Sequence, residues 1–174
     1  MSTPGWLLRA LSGLPNAAKA PHVDDEPPTP VSRARVADYL RKRSYRFVID
    51  DDGDLTGTWD GNRFWFLLLG DGQEILQVRG RWHRTLPLDA RPSIALVIND
   101  WNRERIWPKA YVREEEGMLA IYAETSADLE AGANDAQLAQ ILSCGLGTGV
   151  QMFLSFESTL PAPDELEPPN VPDN

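Results

Sequence analysis

The chain has 174 residues, 42% of them hydrophobic and 25% charged, which is enough for one domain with a real core and too few for two comfortable ones. A formal net charge of −9 repels nucleic-acid phosphates and anionic membrane surfaces, so neither is an expected partner. The single cysteine, Cys144, excludes an internal disulfide and a cysteine-based zinc site, and no uninterrupted apolar run reaches the ~18–20 residues that a membrane span needs.

Residues 1–30 read as a flexible leader. Trp6, Leu7, Leu8, Leu11 and Leu14 can form one short amphipathic helix, marginal alone in water, before a stretch kept extended by Pro21, Pro27, Pro28 and Pro30. This leader is either a disordered tail or a docking segment for a partner or for the domain's own surface. It is a poor signal peptide, because Arg9 interrupts its apolar stretch and Pro4 and Pro15 bracket it. With the lone thiol, this suits a cytoplasmic protein.

The domain is expected over residues 31–160. Thr29 or Ser32 can cap a helix to about Arg43, with Val36, Tyr39 and Leu40 turned inward. Its outer face carries a basic run of Arg33, Arg35, Arg41, Lys42 and Arg43, which reads as a solvated surface. Tyr45–Asp50 alternates as a strand with Tyr45, Phe47 and Ile49 on one face, and Leu55–Trp59 follows it. Asp60-Gly61 signals a two-residue hairpin, because a type I′ turn needs positive φ at both positions. Phe64–Leu69 is apolar on both faces and reads as a central strand. Ile75–Arg84 alternates cleanly: Leu76, Val78, Gly80 and Trp82 point one way, and Gln77, Arg79, Arg81 and His83 the other.

Ile94, Val97, Ile98 and Trp101 recur at helical spacing, giving an amphipathic helix with Asp89 as its cap and Pro92 in its first turn. Asn99 and Asn102 share an edge of that helix and read as braces for the turn toward Trp107, or as an amide pair holding a ligand. Pro108 ends the segment. Lys109–Glu114 and Met118–Thr125 form a hairpin around Gly117, with Leu119, Ile121 and Ala123 inward. A last helix runs from about Asp135 to Leu160, and residues 161–174, acidic and proline-rich, read as a disordered tail. The order α-ββββ-α-ββ-α, with tight turns between consecutive strands, predicts an antiparallel sheet and an α+β fold.

Candidate chemistry is thin. The acidic cluster Asp50, Asp51, Asp52 and Asp54 fails the calcium-loop pattern, since Leu55 stands at its sixth position and Gly61 at its twelfth. Residues 144–149 resemble a phosphate-binding glycine loop, yet they sit inside an apolar helical pattern without a preceding strand. Close packing at Gly145 and Gly149 competes there with a small-molecule or nucleotide sensor site. Cys144 or Ser143 would need a base, and His83 lies on a wet strand face with no third orienting group. No catalytic residue, metal ligand or cofactor is therefore assigned. Tryptophan is abundant, and Trp59, Trp65 and Trp82 stand out as candidates for binding a protein partner.

Asp52-Gly53-Asp54-Leu55 before a Trp-containing hairpin, Ile98-Asn99-Asp100-Trp101-Asn102, Trp107-Pro108-Lys109-Ala110, Gly117 inside a hairpin and Glu124 at its end resemble, in order and spacing, the YbjN domain family in its actinobacterial form. The likeness runs from about Val31 to Pro161; the glycine-rich segment departs from it. It implies a type III secretion chaperone-like fold, pairing into homodimers, and a chaperone-like or stress-linked regulatory role without enzymatic chemistry. It also implies a dimer contact through the middle helix and the following strand, at Asn99, Asn102, Lys109, Tyr111 and Arg113. A secretion role is not implied, because a fold is shared more widely than a job.

Overall fold

A computed structural model of the chain describes residues 26–160. The expected N-terminal helix of the leader and the acidic tail lie outside the described residues. Thr29, at the end of the expected leader, is already tied to the domain: its N–H and C=O exchange hydrogen bonds with Ala133 at 3.2 and 3.0 Å.

The elements are α1 (Arg33–Lys42), β1 (Val48–Ile49), β2 (Leu55–Trp59), β3 (Asn62–Leu69), β4 (Ile75–Leu86), a 3-10 turn (Leu88–Ala90), α2 (Arg91–Glu104), β5 (Lys109–Glu115), β6 (Met118–Asp128) and α3 (Asp135–Thr159). One antiparallel sheet holds all six strands in the order β1-β2-β3-β4-β6-β5. The α+β class and the element order are those the sequence predicts.

Local chemistry sets the boundaries. Ser32 caps α1 by accepting the Arg35 N–H at 3.3 Å, and Arg41 and Lys42 complement the carbonyl end of the helix. Asn134 and Gln137 form a reciprocal capping box at the start of α3, at 2.8 and 2.9 Å. Asp60 and Gly61 adopt φ of 48° and 76°, and Glu116 and Gly117 adopt 51° and 77°, so both hairpins turn through left-handed backbone.

Two boundaries differ from expectation. The first strand is only Val48–Ile49, and both residues are exposed, so Ile49 does not join Tyr45 and Phe47 against the core. At α2 the chain first makes a 3-10 turn containing Asp89. The helix therefore starts at Arg91 behind Ala90, with no side-chain cap, and keeps Pro92 in its first turn.

The core forms between one face of the sheet and the helices. Phe64, Phe66 and Leu68 of β3, Leu76, Val78 and Trp82 of β4, and Leu119, Ile121 and Ala123 of β6 meet Val36 and Leu40 of α1, Ile94 and Ile98 of α2, and Leu142, Phe153 and Phe156 of α3. Fully burying one such large side chain contributes roughly 1.5–3 kcal/mol. α3 is long and apolar enough to cross a membrane by length and composition alone. Here one side of it is spent on the sheet, through Leu138, Leu142, Leu146, Met152, Phe153 and Phe156.

The glycine-rich segment is part of that helix. A Cβ on Gly145 would stand 2.8 Å from Cβ of Val78, and one on Gly149 would stand 2.7 Å from Cε1 of Phe64. Both glycines let α3 lie close on β3 and β4, and no loop interrupts the helix there.

Candidate partner-binding face

The register separates two kinds of side chain. Trp65 of β3 pairs with Arg79 of β4, Arg79 with Glu124 of β6, and Glu124 with Lys109 of β5. This row alternates with the core-facing rows and so lies on the face turned away from the core. The adjoining row carries Arg63, Arg81, Tyr122 and Tyr111.

Charge-assisted hydrogen bonds lace this face together. Arg79 Nε donates to Glu124 Oε1 at 2.8 Å, and its NH2 group donates to Gln77 Oε1 at 2.7 Å. Tyr111 Oη donates to the same Glu124 oxygen at 2.6 Å. Arg81 Nε donates to Glu115 Oε2 at 3.0 Å, and Tyr122 Oη donates to Glu115 Oε1. The two tyrosine rings stack, with centroids 5.3 Å apart, and the Arg113 guanidinium sits 5.8 Å from the Tyr122 ring. Burial pushes the Tyr111 phenol well above its ordinary range, and the carboxylate of Glu124 adds to the shift. The hydrogen bond from Tyr122, aided by Arg81, holds Glu115 below its usual value. The Tyr111 phenol therefore stays neutral and the Glu115 carboxylate stays charged near neutrality.

The β1–β2 loop leans over one end of it. Asp50, Asp52, Asp54, Trp65, Arg79 and Arg113 border a small hollow of about 160 Å³. Burial raises the Asp54 carboxyl above its usual range, Asp50 and Asp52 push in the same direction, and Arg33 opposes them.

The tryptophans separate. Trp65 stands on the open face with the Arg63 guanidinium 4.9 Å from its ring. Trp82 is 1% exposed and belongs to the core, which withdraws it as a partner-binding residue. Trp59 also turns to the helix side, where its ring meets Tyr45, Phe64 and Phe66 edge-on at 5.6–5.9 Å. The period-2 pattern had placed Trp82 with the buried set, so abundance alone made it look like a binding residue.

The residues suggested for a dimer contact also divide. Asn102 is exposed, but its amide accepts the Ala110 N–H at 2.8 Å and donates to the Ala110 C=O at 2.9 Å. It thus takes the hydrogen bonds that a further strand would make with β5 at that position, which is a structural brace rather than a ligand clamp. Asn99 is exposed on α2 and Lys109 on β5, whereas Tyr111 is held by Tyr122 and Glu124. Sequence reasoning missed three large apolar residues near them: Leu96 is 68% exposed, Ile106 89% and Trp107 52%. The signal was there, since Leu96 lies off the Ile94–Val97–Ile98–Trp101 stripe. Trp101 itself points inward, donating from Nε1 to the Pro108 carbonyl at 3.0 Å and meeting Phe156 edge-on.

Among the described residues, His83 and Cys144 do not form a catalytic pair. The His83 N–H donates to Asn62 Oδ1 at 2.9 Å, and Nδ1 lies 3.2 Å from the same oxygen. Cys144 is half-buried in α3, and no hydrogen bond joins it to His83 among the described residues. Among the described residues no group of three or more His, Cys, Asp or Glu side chains is placed to hold a metal ion.

A single antiparallel sheet with the three described helices on one face and a laced polar-aromatic surface on the other defines an α+β fold of the type III secretion chaperone-like kind. The chain belongs to the YbjN family, described as "Putative bacterial sensory transduction regulator", whose pattern matches residues 32–158. Its fold is similar to the crystal structure of E. coli YbjN, "a putative transcription regulator", with a TM-score of 0.65 at 12% identity over 76% of this chain and 96% of that one. It is also similar to a chain in the structure of the HopA1–SchA chaperone–effector complex, with a TM-score of 0.50 at 17% identity over 74% of this chain and 99% of that one. No curated protein sequence matches the chain.

Proposed function

We propose that this protein is a non-catalytic protein-binding module, chaperone-like or regulatory, that acts as a cytoplasmic homodimer and receives an extended segment of a protein partner on the open face of its sheet. The observation that carries the reading is the one-sided packing: the three described helices cover one face, while Trp65, Arg63, Arg79, Tyr111 and Arg113 populate the other. Rings and guanidinium groups held by neighbours lose little entropy on binding, and such residues concentrate binding energy in interfaces. A chaperone–effector complex among the similar structures supports the choice of a polypeptide as partner.

For the homodimer we assign the outer surface of α2 and the start of β5, with Leu96, Ile106 and Trp107 as apolar anchors and Asn99 and Lys109 around them. Light scattering on the eluting peak should give twice the 19.4 kDa chain mass at micromolar concentration. Leu96→Glu with Trp107→Glu should return the monomer. Crosslinking in the source cell, read by mass spectrometry, should join a partner peptide to the Trp65 face in the native chain and lose that peptide in Trp65→Ala. A strict monomer, together with crosslinks that ignore Trp65→Ala, would remove the proposal.

A further inference from the structure

A shallow groove of about 420 Å³ lies along the start of α3, lined by Leu129, Gly132, Ala136, Gln137, Gln140 and Ile141. Its floor is apolar, and the exposed carboxylates Asp128 and Glu130 flank Leu129 in the chain. This groove lies beside the point where the N-terminal part of the chain is fastened. Thr29 is bridged to Ala133, the residue after Gly132, and the Cβ that Gly132 lacks would meet the Thr29 backbone at 2.6 Å.

The described chain starts at Glu26, three positions before that bridge. The sequence ahead of it matches the groove in two respects. Leu7, Ala10, Leu11 and Leu14 recur at i, i+3, i+4 and i+7, the spacing of one apolar helical stripe. Residues 1–20 carry Arg9 and Lys19 and no carboxylate side chain, opposite in sign to the exposed Asp128 and Glu130 on either side of Leu129. The intervening Pro15–Asp25 spans at most ~40 Å at about 3.6 Å per residue, which is ample for a site adjoining its anchor.

We infer that residues 6–14 of this chain dock in the groove formed by Leu129, Ala136, Gln140 and Ile141 of the same chain, with the leucine stripe on its floor and Arg9 toward Asp128 and Glu130. Tethering supplies an effective concentration on the order of 1 mM, so even an intrinsic Kd of about 0.1 mM leaves roughly nine-tenths of the molecules docked. The inference stands apart from the partner-binding face, which lies on the other side of the sheet.

The test uses the full chain with a nitroxide at Ser12→Cys in a Cys144→Ser background, isotope-labelled for amide spectra. Docking predicts loss of amide signal concentrated at residues 129–141, and recovery of that signal when Leu7→Asp and Leu11→Asp are added. Those leader substitutions fall outside residues 26–160, so the near-ultraviolet circular dichroism of the domain should stay unchanged and separate release from misfolding. An unperturbed groove, broadening that survives the double substitution, or broadening seen only between spin-labelled and isotope-labelled chains in a mixture would each overturn the inference.

Discussion

Gly145→Ala tests how α3 is seated on the sheet, because two opposing effects can be weighed at one position. In a helix interior alanine is favoured over glycine by about 1 kcal/mol. Against this, the new methyl group would lie 2.8 Å from Cβ of Val78, 2.9 Å from Cγ2 and 3.3 Å from Cγ1. Val78 is buried and β-branched, so it cannot swing aside as a long flexible side chain would. Forcing a methyl group into a filled core costs typically 1–3 kcal/mol, so overpacking wins and the net effect is a loss of about 1 kcal/mol. Gly147→Ala, two residues along the same helix, meets nothing within 4 Å and should keep the full propensity gain of about 1 kcal/mol. Urea denaturation followed by circular dichroism should therefore separate the two variants by about 2 kcal/mol, or roughly 4–8 °C in Tm for a domain of this size. If Gly145→Ala proved as stable as Gly147→Ala, α3 would not rest on β4 as described.

Asn102→Ala leaves the N–H and C=O of Ala110 without their protein partner and should cost about 1–3 kcal/mol for two hydrogen bonds, measured by the same denaturation. Glu115 has a folded pKa below its unfolded value, so its contribution is present above the usual carboxylate pKa of about 4.3 and is lost as pH falls through the folded value. Tyr122→Phe removes the main cause of that shift, and stability should then fall less steeply over this acid window in a pH series of urea midpoints. Gly145 and Gly149 are occupied by packing, so a panel of nucleotides should leave the melting temperature unchanged. A shift abolished by Gly147→Val would reopen the sensor reading.

Much of the architecture was legible because it depends on local patterns. The alternation of β4 assigned Leu76, Val78 and Trp82 to the core, and the spacing of α2 assigned Ile94 and Ile98. Asp60-Gly61 announced its hairpin through the positive φ that the turn demands. The first strand was overextended because Tyr45 and Phe47 are half-buried by packing against the core, whereas the ladder to β2 pairs only Val48 and Ile49. Alternation records which side chains are covered and says nothing about which backbone groups are paired. The position of β6 between β4 and β5 was not legible either. A chain leaving β4 through a helix can return on either side of the next hairpin, and only the completed register shows which. The same holds for the lacing of Arg79, Glu124 and Tyr111, whose partners lie 45 and 13 residues apart in the chain. The brace at Asn102 was half visible: its role in steadying the turn was expected, and its grip on Ala110 emerged only with the strand in place.

The two ends of the sheet bear on how this protein avoids polymerising. A naked ladder of amides is a template on which stray chains can stack into fibrils. At one flank the terminal strand is two residues long, too brief to hold a visitor in register. At the other, the carboxamide of Asn102 already imitates the visitor. Sideways zippering is thereby hindered at both flanks, and the polypeptide partner proposed above would lie across the pleats, where recognition depends on its side chains and can be selective.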